Sequence, residues 1–152
     1  MKKVLIALDY GLSAQQIAEK GHEIAKGLKA KITLLHVVAD ESYYSTIDSA
    51  PFMGFYGTDF FNMIDSDSLI DASLGFLGRL KTHLKDAEIE IEAIQGDFSE
   101  VILETAHTHH FDVIVMGLNS RNWIQRTIMG SVTESVLKES KIPMLIIPIK
   151  EH

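Results

Sequence analysis

Short apolar runs alternate with longer amphipathic stretches along the chain, and the apolar runs end in turn or helix-capping residues. This pattern is typical of βαβ units, which build a parallel sheet covered by helices. Five runs are predicted as strands: residues 4–8, 32–38, 89–94, 112–116 and 144–147. The first, fourth and fifth are almost wholly apolar, as expected for strands that are covered on both faces. The third alternates glutamate with apolar residues, so we expect it at an edge of the sheet.

Capping-box spacing predicts where three helices begin, because a Ser or Asp that caps a helix is often followed three residues later by Glu or Gln. The three pairs are Ser13 with Gln16, Asp97 with Glu100, and Ser131 with Glu134. A further helix over residues 68–85 has isoleucine and leucine at helical spacing. We expect its apolar side to pack on the sheet.

The segment 40–67 fits no regular element, and so long a connection in a compact domain is functional or disordered. Seven Tyr and Phe side chains within it argue against disorder, since aromatic residues bury large areas against a surface. Three interpretations stay open: a flap over the protein's own core, a contact between subunits, or a lid over a ligand. We treat residues 1–152 as one domain with this aromatic-rich insertion.

Composition narrows the possible functions. The net charge of −7 argues against non-specific binding to nucleic acid or anionic lipid, so we expect neither partner. The apolar runs are too short to cross a bilayer, and the first one stops at Asp9 without a signal-peptide cleavage site, which favours a buried strand. The absence of cysteine excludes disulfides and thiolate chemistry and agrees with a cytoplasmic location.

The stretch that follows the fourth predicted strand has the outline of an anion site. After a loop, a helix is predicted to begin at Gly130 and Ser131. Helix amino termini present unpaired N–H groups, and glycine lets the backbone approach a phosphate closely. A purely structural capping box explains Ser131 with Glu134 equally well. The chain has no GxxxxGK[ST], GxGxxG or GxSxG motif, so we predict no enzyme and no catalytic residue.

The spacing in this region is more specific than its outline. Gly117 is followed by two residues, Ser120, nine residues, Gly130 and Ser131. Other landmarks occur in order along the chain: Asp9 after the first strand, Leu35-His36-Val37, Gly96, residues 111–117, and Pro143 before the last strand. Together they identify a chain that resembles the universal stress protein family throughout, apart from the insertion. In ATP-binding members of that family the motif has a second glycine where this chain has Ser120.

The resemblance implies a doubly wound α/β fold, with a five-stranded parallel sheet of order 3-2-1-4-5 and helices on both faces. It implies that Asp9 and the backbone at Val37 hold adenine, and that residues around 117–120 and 130–132 hold ribose and phosphates. The candidate nucleotide-binding residues are Asp9, Val37, Met116, Gly117, Asn119, Ser120, Arg121, Gly130, Ser131 and Val132. The expected ligand is ATP, with magnesium as a possible companion, and the expected assembly is a homodimer through the last strand. The sheet order agrees with this site, since its winding reverses between strands one and four, where Asp9 and Gly117 lie.

Ser120 leaves two hypotheses open. If this position needs a positive φ, serine costs about 1 kcal/mol of strain and crowds the phosphate, although its hydroxyl could instead donate to a phosphate oxygen. The first hypothesis is an adenine-nucleotide-binding regulator or sensor; the alternative is a dimeric interaction module that binds no nucleotide.

The histidines are assigned no catalytic or metal-binding role. His107, His109 and His110 lack a carboxylate or cysteine pattern that would complete a metal site, and a solvated helix end explains them. His36 lies in an apolar strand, and we expect it to be a hydrogen-bonded core residue.

Overall fold

The computed structural model describes residues 1–9, 13–39, 66–119 and 128–149; the side chains of residues 66, 119 and 128–131 lie outside that description. The strands are β1 (Lys3–Leu8), β2 (Lys31–Val38), β3 (Glu90–Gln95), β4 (Val113–Asn119) and β5 (Met144–Ile149). The helices within the described ranges are α1 (Ala14–Gly27), α2 (Ser66–Leu84), α3 (Phe98–Thr108) and α4 (Ile128–Glu139). Each of the five predicted strands is confirmed, with ends that differ by at most a few residues.

The strands form one parallel sheet in the order β3-β2-β1-β4-β5, which confirms the expected topology. The alternating strand β3 lies at one edge, as predicted from its glutamates. The apolar strand β5 lies at the other edge, so among the described residues a neighbouring strand covers only one of its sides.

Helices cover both faces of the sheet. Helices α1 and α2 pack on one face, where the largest core cluster includes Val4, Ile6, Leu8, Ile17, Leu34, Leu77, Val115 and Ile147. Helices α3 and α4 pack on the other, with Leu5, Ala7, Leu35, Val37, Ile102, Ile114, Met116, Val132 and Val136. Successive residues of β1 alternate between the two clusters, because successive side chains of a strand point to opposite faces. A strand buried on both faces therefore reads as a continuous apolar run.

The helix starts bear out the capping predictions only in part. Asp97 caps α3, and its Oδ2 accepts a hydrogen bond from Glu100 N at 3.1 Å. Helix α1 begins directly after Ser13, but the Ser13 side chain makes no capping hydrogen bond.

The predicted start of the last helix at Gly130 and Ser131 is wrong by two residues, since α4 begins at Ile128. Ser131 is thus the fourth residue of α4 and not its cap. A capping motif is only a local preference, and Ile128 and Met129 are compatible with a helix, so α4 extends upstream of the motif. Helix α2 confirms the predicted helix over 68–85, although its first two residues were assigned to the insertion. The remainder of the insertion, residues 40–65, lies outside the described residues.

Charged pairs and reciprocal hydrogen bonds close the end of the sheet where the strands begin, called here the amino edge. Lys3 N donates to Asp112 Oδ2 at 2.8 Å, and Asp112 N donates back to Lys3 O at 2.8 Å. His22 of α1 lies 2.9 Å from Asp86 Oδ2, and Lys26 lies 3.6 Å from the same oxygen. These contacts fasten α1 to the turn that precedes β3.

Helices α1, α2 and α3 end at the amino edge on residues in the left-handed conformation. These residues are Lys29 (φ 55°), Lys85 (φ 54°) and His110 (φ 56°). Glycine usually occupies such positions, whereas a cation there interacts favourably with the negative end of the helix dipole. None of the helices in the described ranges is both long and apolar enough to span a membrane.

Candidate functional site

The strands β1 and β4 separate from each other at their carboxyl ends. The pairing of β1 with β4 ends at Ile6 and Val115, whereas β1 continues beside β2 as far as Leu8 and His36. On its other side β4 stays paired with β5 as far as Asn119 and Ile149. The two central strands therefore separate at the point where the winding of the sheet reverses, which is where open α/β sheets bind ligands. We call this opening the crevice.

Two of the predicted site residues lie on either side of the crevice. Asp9 directly follows β1 and is half-buried, and Gly117 lies in β4, two residues beyond the last pair with β1. Asp9 also has an interaction partner in the structure. The structure thus brings Asp9 and Gly117 to the same opening, as the topology predicted.

Gly117 has a packing role that the sequence did not reveal. A Cβ atom at this position would lie 2.1 Å from Ile17 Cδ1 and 2.7 Å from Ile17 Cγ1. Since Ile17 is buried in α1, a side chain on residue 117 would displace the Ile17 side chain or push α1 away from β4. Close packing of α1 on the sheet is by itself sufficient to require glycine here.

Thr133 is a second residue that the sequence reasoning missed. It is buried in α4, and its Oγ1 donates to Gly117 O at 3.1 Å. This hydrogen bond ties the helix that follows the anion-site motif directly to the end of β4. The available signal was a hydroxyl residue among the apolar positions of α4, next to Val132 and three residues before Val136.

Val37, Met116 and Val132 contribute their side chains to the core and not to the crevice. All three belong to the cluster between the sheet and helices α3 and α4, with at most 6% of each residue exposed. Only their backbone groups are free of this packing role. A backbone role at Val37 is what the family resemblance implied.

The remaining site residues are described only in part or not at all. Asn119 is the last residue of β4, and Gly130 and Ser131 are the third and fourth residues of α4. They thus belong to β4 and α4, the two elements that the hydrogen bond from Thr133 to Gly117 O joins. Ser120 and Arg121 lie outside the described residues, so the predictions on them remain predictions.

His36 is a core residue, as predicted. It is 1% exposed, its Nδ1 is hydrogen-bonded to Ser73 Oγ at 3.0 Å, and its ring meets Phe76 edge-on at 6.5 Å between centroids. Burial lowers the pKa of His36 to about 3, because the protonated ring would have to leave water. The histidine is therefore neutral at physiological pH.

The other predicted histidines lie on the surface. His107, His109 and His110 are all exposed at the end of α3. Within the ranges that the structure describes, no cluster of three or more His, Asp or Glu side chains could hold a metal ion.

The sheet order, the two helical layers and the crevice define the protein's class as a doubly wound α/β protein. The family model "Universal stress protein family" matches residues 1–148. The chain therefore belongs to the universal stress protein family.

Two sequence relatives come from Methanocaldococcus jannaschii. Universal stress protein MJ0531 is 28% identical over 99% of this chain and 85% of its own length. Universal stress protein MJ0577 is 28% identical over 98% of this chain and 96% of its own length.

Solved structures of the family share the fold. The structure of MJ0577 superimposes with a TM-score of 0.71 at 27% identity, over 99% of this chain and 98% of the other. A universal stress protein from Archaeoglobus fulgidus in complex with dAMP gives a TM-score of 0.66 at 16% identity, covering 97% and 98%. A universal stress protein in complex with cAMP gives 0.60 at 19%, covering 96% and 95%.

Proposed function

We propose that this protein is an adenine-nucleotide-binding regulator or sensor whose ligand is ATP. The observation that carries the proposal is the crevice between β1 and β4, which has Asp9 on one side and Gly117 on the other. Helix α4 is fastened to the same place by Thr133. A carboxylate can accept a hydrogen bond from the adenine amine, and backbone N–H groups at a strand end and at a helix amino terminus can bind a phosphate chain.

The family supports an adenine ligand. The Archaeoglobus fulgidus protein was solved in complex with dAMP and another universal stress protein in complex with cAMP, so two relatives with this fold accept an adenine nucleotide. Both are distant from this chain in sequence, so the proposal depends on the residues at its own crevice.

Each residue has a role that its position permits. We assign Asp9 to the exocyclic amine of adenine, which would donate a hydrogen bond to its carboxylate. The backbone of Val37 is assigned to the other side of the base. The end of β4 and the loop after it, comprising Met116, Gly117, Asn119, Ser120 and Arg121, would contact ribose and phosphates. Gly130 lies in the first turn of α4, where unpaired backbone N–H groups and the helix dipole attract anions, and Ser131 and Val132 follow it in the helix.

The proposal includes no catalytic step. We assign no base and no nucleophile, and ATP acts through occupancy of the crevice, with magnesium bound to its phosphates. Occupancy could act on the loop after β4, on the aromatic insertion or on a subunit contact.

Calorimetric titration of the purified protein with ATP and magnesium tests the function. Gly130→Val places a branched side chain where a phosphate must approach the backbone and should weaken ATP binding more than about 100-fold. The matched control is Gly78→Val, because a Cβ at this glycine of α2 meets no atom within 4 Å. The control should bind ATP like the unmodified protein. Undiminished binding by Gly130→Val would contradict the assignment of the phosphates to α4.

Base selection is tested separately with Asp9→Ala. The substitution should weaken ATP binding about tenfold and change the free energy of unfolding much less, since Asp9 is only half-buried. Asp71→Ala, at an exposed position of α2, is the control. Equal affinity of the unmodified protein for ATP and GTP would remove the basis for this role. If no form of the protein binds nucleotide, the alternative hypothesis of a nucleotide-free interaction module replaces this one.

We further propose that the protein is a homodimer paired through β5, the apolar edge strand. Ile114 N donates to Pro143 O, so the backbone groups of Pro143 and of alternate residues after it face β4. The backbone groups of Met144, Ile146 and Pro148 therefore point outward, away from β4. Proline has no N–H to donate, and at an outward position on an edge strand it breaks no bond within the sheet. Pairing with a second copy would therefore use Met144 and Ile146 and stop at Pro148.

Light scattering at micromolar concentration should give the mass of a dimer. Ile146→Pro removes an outward N–H group and should give a monomer, whereas Ile146→Val keeps that N–H and should remain a dimer. A monomeric mass for the unmodified protein would contradict this assembly.

A further inference from the structure

A buried threonine of α4 donates a hydrogen bond to β4, on the side of β4 that faces away from β5. Thr133 is 3% exposed and lies between two apolar core residues of α4, Val132 and Val136. A threonine inside a helix commonly donates to a carbonyl one turn earlier in the same helix. Here the hydroxyl donates instead to Gly117 O, 16 residues away in sequence, at 3.1 Å.

The acceptor, Gly117 O, is a carbonyl that would accept a hydrogen bond from β1 if the two strands stayed paired. The split in the sheet leaves it without that partner. Ile114 N donates to Pro143 O, so Ile114 faces β5 with its backbone groups. Because backbone groups alternate along a strand, those of Gly117 face the β1 side. The pairing with β1 ends two residues earlier, at Val115. The Thr133 hydroxyl supplies a donor at this position, where a buried carbonyl requires one.

The hydrogen bond also joins the two halves of the anion-site motif. Gly117 belongs to the half at the end of β4, while Gly130 and Ser131 belong to the half at the start of α4. Thr133 comes two residues after Ser131 and bonds Gly117 directly. The distance between the halves, and hence the space for a phosphate chain, depends on this contact.

We propose that Thr133 is a positioning residue of the nucleotide site: its hydroxyl holds the amino-terminal turns of α4 over the end of β4, where phosphates bind. The inference rests on the proposed function and adds a residue that touches no ligand. It implies that loss of the hydroxyl affects phosphate binding and leaves the adenosine portion of the site intact.

The test compares Thr133→Val with the unmodified protein in titrations with ATP and with adenosine. Valine has nearly the same shape as threonine but cannot donate to Gly117 O. We expect a roughly fivefold weaker affinity for ATP and an unchanged affinity for adenosine. Thr105→Val is the matched control, because Thr105 is a buried threonine of α3 and the substitution is chemically identical. It should leave both affinities unchanged.

A second pair of variants isolates the hydroxyl and covers the case in which valine prevents folding. Thr133→Ser keeps the donor and should bind ATP like the unmodified protein, whereas Thr133→Ala lacks it and should match the loss expected for valine. Equal weakening of ATP and adenosine would indicate general loosening and overturn the inference. ATP binding by Thr133→Val at the unmodified strength would also overturn it while leaving the proposed function intact. Failure of the unmodified protein to bind ATP would overturn the function and this role together.

Discussion

The two ends of the sheet are built differently. At the amino edge, polar groups are paired with one another: Lys3 with Asp112, and Asp86 with both His22 and Lys26. At the opposite end β1 and β4 separate, and Asp9 and Gly117 lie at the opening. The contacts at the first end join β1 to the residue before β4 and α1 to the turn before β3. The second end presents polar groups to a space between strands.

If the crevice binds a nucleotide as proposed, this difference separates the residues that determine stability from those that determine ligand binding. Substitutions at the amino edge should lower the free energy of unfolding and leave ligand affinity unchanged. Those at the crevice should change ligand affinity and leave the free energy of unfolding nearly unchanged. The separation follows from topology, because all parallel strands end on the same side of the sheet. Gly117 and His36 are the exceptions that test it, since both lie toward the carboxyl ends of their strands but are fixed by packing.

The largest expected effect on stability comes from Gly117→Ala. The added methyl group would lie 2.1 Å from Ile17 Cδ1, so α1 or its side chain must shift, at a cost of about 3 kcal/mol in the free energy of unfolding. Urea denaturation without any ligand measures this loss. Gly78→Ala is the control, and it should be neutral or stabilise the protein by up to about 1 kcal/mol through helix propensity. Equal stability of Gly117→Ala and the unmodified protein would show that this glycine serves the crevice alone.

The next effect is a pH dependence due to His36. Its pKa is about 3 when folded and near 6.5 when unfolded, so below pH 6.5 the unfolded chain binds a proton that the folded protein does not. The free energy of unfolding should then fall by about 1.4 kcal/mol for each pH unit, or about 2 kcal/mol between pH 6.5 and pH 5. His36→Leu should flatten this slope, whatever its stability at pH 7. The same slope in both proteins would exclude His36 as its cause.

At the amino edge, Asp86→Asn should destabilise the protein by about 1 to 2 kcal/mol at pH 7. The hydrogen bond from His22, followed by one from Glu88 N and the charge of Lys26, lowers the pKa of Asp86. This stabilisation is therefore present above the unfolded pKa and is lost as the pH falls through the folded one. Glu88→Gln, on an exposed neighbour, is the control and should change little. A loss of ATP affinity in Asp86→Asn would break the separation between the two ends.

The smallest effect is expected at the crevice from Ser120→Gly. If residue 120 has a positive φ beside the phosphates, glycine relieves strain and could strengthen ATP binding by up to about fivefold. Calorimetry with ATP and magnesium measures the change, with Ser99→Gly at a half-buried position of α3 as the control of identical chemistry. Weaker binding by Ser120→Gly would instead mean that the serine hydroxyl contacts the ligand.

The fold could be predicted from the sequence because its main signals are local. The continuous apolar pattern of β1 and the alternating glutamates of β3 each depend on how many faces and sides of a strand are covered. The strand order came from the family resemblance, and Asp97 revealed its helix start because a cap contacts only its own first turn. The place of the crevice then followed from the order of the strands.

The details of the site depend on contacts that are distant in sequence. Ile17 and Gly117 are a hundred residues apart, and nothing local indicates that one requires the other to lack a side chain. The hydrogen bond from Thr133 to Gly117 O has the same character. The start of α4 was placed too late because the Ser131 capping box is compatible with, but does not enforce, a helix beginning there.

The glutamates of β3 have a consequence for how copies of this protein behave when crowded. An edge strand offers unpaired backbone groups to any other strand, and such edges allow chains to stack without limit. Glu90 and Glu92 place negative charges along this edge. Edge-to-edge approach of a second copy would bring the carboxylates of the two copies together. Repulsion of this kind disfavours open-ended polymerisation and amyloid-like growth from the β3 side.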